Sequence, residues 1–304
     1  MTGNNGIINL DKPPFVSSMD VVRSIKRLTN EKKVGHGGTL DPSATGVLAI
    51  CFGHAARMMD FLINEPKKYL AEVEFGKITD TLDGDGKTLK LGDTSNLNRE
   101  NIEAALKNFV GFIPQVPPMY SAIRRRGRRL YEFARKGIDV QREARKVHIS
   151  EIKIEDWTPP LLKIEIGCGR GVYIRSLAHD LGQYMGCGAY LKSLIRLASG
   201  PFKVEKAVSM QEFEKATHEK NWTELLHPAD VVIQNLRSIV VNNIDELSIS
   251  NGRQLSHSNV GSKPFQQEKC RIYTEDGQLL AIAKYDRLSS SWRPQMVFPI
   301  KRDV

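Results

Sequence analysis

The chain has 304 residues, of which 40% are hydrophobic and 26% are charged. This length allows one large domain or two unequal ones, and the composition excludes a wholly disordered protein. There are 44 Lys and Arg against 35 Asp and Glu, which gives a net charge of +9. A surplus of this size favours a polyanionic partner and places nucleic acid modestly ahead of other partners.

Several classes of protein are disfavoured by what the sequence lacks. No apolar run reaches the roughly 18 residues of a membrane span. The N-terminus has no basic block followed by an apolar block, so no signal peptide is predicted. The four cysteines are too scattered for a metal knuckle or a disulfide framework. We therefore expect a cytoplasmic protein with no membrane segment, and buried thiols at Cys51, Cys168, Cys187 and Cys270.

The N-terminal region is predicted to form a strand and a helix. A short apolar run at Gly6–Leu10 predicts a strand that ends in a turn at residues 11–14. Ser17 or Ser18 can cap a helix whose apolar residues recur at helical spacing from Val21 to Leu28.

An unusual glycine-rich loop is predicted next, at Lys33–Gly46. It leads into a buried strand at Val47–Phe52 and then into a helix around Ala55–Ile63. From Lys67 onwards apolar residues alternate with others, which predicts a strand with one apolar face. That face is expected to carry Tyr69, Ala71, Val73 and Phe75.

Further helices and strands follow, but they do not alternate regularly as they do in a doubly wound sheet. A helix is predicted at Asn98–Val110 with Gly111 as its stop, and strands are predicted at residues 147–156 and 161–168. A later helix is expected to carry Ile174, Leu177, Ala178 and Leu181 on one apolar face. The pattern indicates an α+β fold, with a mixed, largely antiparallel sheet flanked by helices.

After Leu236 the sequence pattern changes to short β-type runs separated by turns. Strands are predicted at residues 238–241, 270–274, 279–285 and 296–300. We therefore expect a first domain at 1–232 and a small all-β domain at 236–304, with the boundary between Asp230 and Leu236.

Simple chemical motifs are few. The glycines at 35–38 and 167–171 fit no nucleotide-binding fingerprint, so turns are favoured there. The acidic residues 80–85 lack calcium-loop spacing, which favours a solvated hairpin turn. No His, Cys and carboxylate set has metal spacing, so neither a metal nor a cofactor is expected. Taken alone, Asp41 before Pro42 favours an Asx turn or a helix cap over catalysis.

Longer stretches change that interpretation. Gly35-His-Gly-Gly-Thr-Leu-Asp-Pro-Ser-Ala-Thr-Gly-Val-Leu48 closely resembles the catalytic loop of the TruB family of tRNA pseudouridine synthases. Stretches that fit the family in order are Gly6–Pro13, Lys68–Tyr69, Pro117–Ile123, Gly171–Asp180 and Leu194–Gly200, and residues 292–299 resemble the end of the bacterial C-terminal module. The resemblance covers essentially the whole chain. It implies a pseudouridine synthase fold followed by a PUA-like RNA-binding domain.

The resemblance implies catalytic roles for three residues. Asp41 matches the catalytic aspartate, and Arg175 matches the arginine that pairs with it. A guanidinium beside a partly buried carboxylate favours its ionised form. Tyr69 matches the aromatic residue that packs on the target base, and its hydroxyl is a weaker candidate for proton transfer.

Substrate contacts are implied as well. Leu194 matches an apolar residue that lines the uracil pocket, and Tyr173 lies in the motif that carries the arginine. His36 matches a histidine that fills the space left by flipped T-loop nucleotides. The family's RNA-binding insertion corresponds to residues 120–147, of which 124–147 hold ten Lys and Arg against three acids. We expect Arg125, Arg128 and Arg129 to contact phosphates there.

The family converts uridine 55 in the T loop of tRNA into pseudouridine. The C1′–N1 bond breaks, the uracil turns, and C1′ joins C5, so substrate and product are isomers and no cofactor is implied. The sequence leaves open whether Asp41 attacks C1′, adds to C6, or removes the 2′ proton by way of a glycal.

The resemblance implies a monomer that acts on the T stem-loop of tRNA without a guide RNA. Two alternative functions are less favoured. A tRNA-binding or tRNA-folding module without catalysis is disfavoured because Asp41, Tyr69 and Arg175 are all present. A guide-RNA-dependent synthase is disfavoured by the basic insertion and by the bacterial-type tail.

Overall fold

The computed structural model describes residues 4–125, 127–256 and 264–300. The chain divides into two compact units, Met1–His227 and Pro228–Val304. Within the described ranges, no helix is both long enough and apolar enough to cross a membrane.

The first unit contains most of the secondary structure. Its strands are β1 Gly6–Lys12, β2 Val34–His36, β3 Thr45–Phe52, β4 Lys67–Phe75, β5 Lys77–Thr79, β6 Thr88–Leu91, β7 Gly111–Gln115, β8 Arg124–Arg125, β9 Arg128–Arg129, β10 Arg145–Thr158, β11 Leu161–Cys168, β12 Ala189–Ser199, β13 Phe202–Lys203 and β14 Val208–Ser209. Its helices are α1 Ser18–Thr29, α2 Met59–Asn64, α3 Arg99–Leu106, α4 Leu130–Ala134, α5 Ile174–Tyr184 and α6 Met210–His218.

One mixed sheet organises this unit. Its strand order is β14-β1-β3-β12-β4-β11-β10-β7, with β2 added to β3 and β13 added to β12. The β1–β14 and β3–β12 pairs are parallel, and the other pairs are antiparallel. The predicted α+β class with a largely antiparallel sheet is therefore confirmed.

Strand β3 lies in the interior of the sheet between β1 and β12, and its residues from Gly46 to Phe52 are buried. Continuous burial of this kind explains why its sequence is an unbroken apolar run. Strand β4 instead alternates, with Ala71, Val73 and Phe75 buried, as predicted from the period of two. Helix α5 buries its predicted apolar face in the apolar cluster that also contains the buried residues of β4. The N-terminal turn of α5 carries Arg175.

Three predicted boundaries were wrong. The loop expected at Lys33–Gly46 includes strand β2, because Val34–His36 pairs with the last residues of β3. The helix expected at Asn98–Val110 ends as a 3-10 turn at Lys107–Phe109, and Gly111 starts β7 with a φ of +95°. The helix expected around Ala55–Ile63 begins as a 3-10 segment at Gly53–Met58 before α2.

The second unit contains β15 Arg237–Val240, helix α7 Asn243–Ser250, β16 Leu255–Ser256, β17 Lys269–Tyr273, β18 Leu279–Asp286 and β19 Ser291–Val297. Its sheet order is β15-β17-β18-β19-β16, which confirms a small β domain. Helix α7 was not predicted. The last strand was expected at 296–300 but starts at Ser291, because residues from Ser291 onwards pair with β18. All four cysteines are buried and free, as expected.

Candidate active site

The loop between β2 and β3 presents Asp41 on a backbone that is fastened on both sides. On one side, Leu40 N donates to the hydroxyl of Ser18 at 2.9 Å, at the start of α1. On the other side, Lys12 Nζ at the end of β1 donates to the carbonyl of Pro42 at 3.0 Å. The two residues that flank Asp41 are therefore held by the β1–α1 segment.

Lys12 is a buried cation whose donors are used within the protein. Besides Pro42, Nζ donates to the carbonyls of Pro13 and Val16, each at 2.8 Å. Burial lowers the pKa of Lys12 to about 8, although the negative charge of Asp41 opposes this shift. Because three carbonyl oxygens take its three donors, Lys12 anchors the loop and offers no donor to a substrate.

Asp41 forms an ion pair with Arg175 at the N-terminal turn of α5. Arg175 Nη2 donates to Asp41 Oδ1 at 3.0 Å, and Nε lies 2.9 Å from Oδ2. The arginine side chain is buried, whereas 35% of the Asp41 side chain is exposed. The guanidinium is thus covered, while the carboxylate remains open to a reactant.

Arg175 also holds a second carboxylate. Its Nη1 donates to Asp83 Oδ2 and to the Thr81 carbonyl, both at 3.3 Å, and Nη2 donates to the Tyr120 carbonyl at 2.8 Å. Asp83 was expected in a solvated hairpin turn. The hairpin turn is present between β5 and β6, but Asp83 is buried in it and paired with Arg175.

Burial raises the pKa of Asp41 above the usual range of an aspartate, and the nearby charge of Asp83 raises it further. The positive charges of Arg175 and Lys12 act in the opposite direction. Arg175 therefore favours the ionised carboxylate that a nucleophile or base requires, against the effect of burial.

Tyr69 lies on β4 between Ile166 of β11 and Arg196 of β12. Burial raises the pKa of its hydroxyl, and the positive charge of Arg196 opposes that shift. Arg196 is itself buried and donates to Val47 O at 2.6 Å and to Gly38 O at 3.1 Å. Arg196 therefore joins two points of the catalytic loop and places its positive charge near the Tyr69 hydroxyl.

The other predicted pocket residues lie around this core. Tyr173 directly precedes α5; its N–H donates to Gln115 Oε1 at 2.8 Å, and burial raises the pKa of its hydroxyl. Leu194 and Tyr69 pack against the same apolar cluster. His36 is partly buried beside the loop, and burial together with Arg196 lowers its pKa. Charge interactions link Tyr69 and Tyr173 to Asp41, and Tyr173 to Arg175 as well. Leu194 packs against the apolar cluster that Tyr69 also contacts.

The predicted basic insertion forms a small hairpin, β8–β9, followed by α4. Arg125, Arg128 and Arg129 are exposed on it. Arg125 pairs with Glu143 at 3.1 Å, but the Glu143 side chain is 83% exposed, so this pair is weak. The hairpin therefore presents guanidinium groups to solvent, where an anionic chain can reach them.

Within the described ranges, no group of three or more His, Cys, Asp and Glu side chains is placed to hold a metal ion. The cluster around Asp41 is held together by one cation, Arg175, which pairs with both Asp41 and Asp83. Three of its members were not predicted as site residues: Lys12, Asp83 and Arg196.

Known proteins have similar sequences. Residues 26–174 match the TruB family pseudouridylate synthase N-terminal domain, and residues 175–237 match the tRNA pseudouridylate synthase B C-terminal domain. The chain is 38% identical to tRNA pseudouridine synthase B of Dehalococcoides mccartyi over 97% of this chain and 96% of the relative. It is 40% identical to that of Syntrophomonas wolfei over 97% and 99%, respectively.

Solved structures share the fold. One chain of a Cbf5-Nop10-Gar1 complex matches with a TM-score of 0.75 and 26% identity, over 96% of this chain and 84% of that chain. A chain of an archaeal box H/ACA sRNP Nop10-Cbf5 complex matches with a TM-score of 0.72 and 25% identity, over 97% and 85%. With the two domain matches and the relatives of nearly equal length, these findings confirm that the chain belongs to the TruB family of pseudouridine synthases.

Proposed function

We propose that this protein converts uridine 55 in the T loop of tRNA into pseudouridine, as a stand-alone enzyme. The observation that carries the proposal is the partly open carboxylate of Asp41 against the covered guanidinium of Arg175. The relatives named tRNA pseudouridine synthase B support tRNA as the substrate.

The site supplies what the isomerisation needs. Asp41 acts on the ribose or on the base while the C1′–N1 bond breaks, and Arg175 stabilises the negative charge of its carboxylate. Tyr69 packs on the uracil while it turns, and C1′ then joins C5. The C5 proton leaves and N1 gains one, so the atoms balance without an oxidant or a reductant.

Binding must also offset the cost of extruding the target nucleotide, which is about a few kcal/mol. We assign part of this to phosphate contacts by the β8–β9 hairpin, whose arginines are exposed. The small C-terminal β unit, which resembles a PUA-like module, is the second proposed RNA contact.

The direct test incubates the purified protein with an unmodified T stem-loop and measures pseudouridine at position 55. We expect full conversion with neither metal nor guide RNA added. Two of the similar solved chains come from complexes with Cbf5 in their names, and two come from H/ACA particles, so a parallel reaction adds a guide RNA. Conversion only in the presence of the guide would replace the stand-alone proposal, and tight binding without conversion in either reaction would favour a tRNA-folding module.

The hairpin makes a separate prediction. Replacing Arg125, Arg128 and Arg129 by Gln should weaken binding of every tRNA substrate, because phosphate contacts do not read sequence. The slope of log affinity against log salt should fall by roughly 0.7 to 0.9 for each phosphate that the variant no longer neutralises. Turnover at saturating RNA should change less than the affinity.

A matched control replaces Arg99, Arg23 and Lys215 by Gln, since these exposed cations pair with neighbours on their own helices. This control should leave the salt slope unchanged. An unchanged slope in the hairpin variant would show that the arginines are merely solvated. A collapse of saturated turnover with normal binding would instead indicate a loop whose closure assembles the site.

Arg196 carries a further prediction. Arg196→Met should lower the single-turnover rate by about 10- to 150-fold, which corresponds to about 1.5–3 kcal/mol, the range for hydrogen bonds of a charged group such as those that Arg196 donates to Val47 O and Gly38 O. In a Tyr69→Phe background, which lacks the hydroxyl, the same change should have a smaller effect. Equal effects in both backgrounds would show that Arg196 acts only through the Gly38 and Val47 carbonyls.

A further inference from the structure

Phe15 is an exposed aromatic residue held in an unfavourable backbone conformation. It lies in the turn between β1 and α1, where 80% of its surface is exposed and its φ is +63°. Single exposed apolar residues are common, so exposure alone carries little weight. A left-handed φ, however, is adopted freely only by glycine and is unfavourable for a bulky side chain.

The turn that carries Phe15 is fastened to the catalytic loop. Lys12 Nζ donates to the carbonyls of Pro13 and Val16, so it closes the turn from both sides of Phe15. The same nitrogen donates to the carbonyl of Pro42, the neighbour of Asp41. One ammonium group thus fixes the position of the Phe15 backbone relative to the reactive carboxylate.

A second tie runs through the first residue of α1. The Ser18 hydroxyl is buried and accepts from Leu40 N, on the other side of Asp41. The short segment between Lys12 and Ser18 therefore spans the two anchors of the loop, with Phe15 at its exposed tip. An aromatic ring is in this way presented to solvent beside the site.

We propose that Phe15 is a stacking platform for an unpaired base of the substrate RNA, next to the nucleotide on which Asp41 acts. The inference rests on the proposed function, in which a nucleotide leaves the loop stack and exposes the faces of its neighbours. Aromatic side chains bind such faces with little dependence on sequence. The chain's net charge of +9 favours RNA over a neutral apolar partner.

The test compares Phe15→Gly, Phe15→Leu and Phe15→Trp. Phe15→Gly should raise the Kd for the T stem-loop about 5- to 150-fold, which corresponds to one base stack, with little change in the rate at saturation. Its melting temperature should be unchanged or higher, because glycine accepts the positive φ. Phe15→Leu should also bind more weakly, since a leucine offers no ring.

Phe15→Trp should retain wild-type affinity, and its added fluorescence should be quenched when RNA binds, with the wild-type protein as the blank. Tyr184→Ala is the matched control. Tyr184 is also an exposed aromatic, at 61%, but it lies at the end of α5 remote from Arg175. This control should leave the Kd unchanged.

Wild-type affinity in both the Gly and Leu variants would overturn the proposal, as would a Phe15→Trp signal that does not respond to RNA. Equal weakening on an RNA duplex without a loop would also overturn it, because a duplex has no unpaired base. Failure of the proposed function is recognised separately, as absence of pseudouridine from the wild-type reaction, whatever the Phe15 variants bind.

Discussion

Asp41→Asn should lower the rate of pseudouridine formation by about 10⁴-fold, while the affinity for the T stem-loop changes little. The amide has nearly the same shape as the carboxylate, and its oxygen can still accept the hydrogen bond that Arg175 Nη2 donates at 3.0 Å. It loses the charge and the basic, nucleophilic oxygen, which the reaction needs by any of the three routes. The rate falls, therefore, without disruption of the loop.

Single-turnover pseudouridine formation and RNA binding by filter retention measure the two quantities. Asp60→Asn is a suitable control, because Asp60 is an exposed carboxylate in the first turn of α2. It should behave as wild type. Turnover of Asp41→Asn within tenfold of wild type would remove Asp41 from the catalytic role.

Arg175→Met should reduce the rate on the order of 10²- to 10³-fold and move the acid limb of the pH–rate profile to higher pH. Burial already raises the pKa of Asp41, and Arg175 is the largest influence that lowers it. Without the guanidinium the pKa rises further, so the reactive anion becomes protonated at a higher pH. Activity should then recover partly as the pH is raised.

Adding Asp83→Asn to the Arg175→Met variant further tests how these charges control the ionisation of Asp41. Arg175→Met leaves the Asp41 and Asp83 carboxylates without their shared cation, and breaking a buried pair of this kind destabilises a protein by about 3–5 kcal/mol. Removing the second negative charge should return the acid limb part of the way towards lower pH and raise the melting temperature. A pH–rate profile that does not change in Arg175→Met would contradict the pairing as a control of Asp41 ionisation.

Elements with strong periodicity were predictable from the sequence, and residues held by long-range contacts were not. The alternation of apolar residues in β4 and the continuous apolar run of β3 predicted which residues are buried, because the spacing of apolar residues shows which faces of a strand meet the core. Asp83 looked like part of a solvated acidic turn, since nothing nearby in sequence shows that Arg175, 92 residues away, reaches it.

The same limit applied to Lys12 and Arg196. Both lie in stretches that match the family, yet a buried cation gives no local pattern, and its carbonyl partners are backbone atoms of any residue type. Strand β2 was missed because a three-residue strand is too short to show a period. The pairing of Asp41 with Arg175 was predictable only through resemblance, because 134 residues separate them.

Two hydrogen bonds anchor the catalytic loop, one from Leu40 N to the Ser18 hydroxyl and one from Lys12 Nζ to the Pro42 carbonyl. They determine how the loss of conformational entropy on binding is shared between enzyme and RNA. A loop already held in one conformation loses little freedom when substrate arrives, so most of the ordering on association falls on the nucleic acid. Opening the loop would break both hydrogen bonds, and Lys12 itself is held at the end of β1, which pairs with β3 in the main sheet. Amide exchange at Leu40 should consequently be as slow as in the sheet itself, and not at the rate of a surface loop.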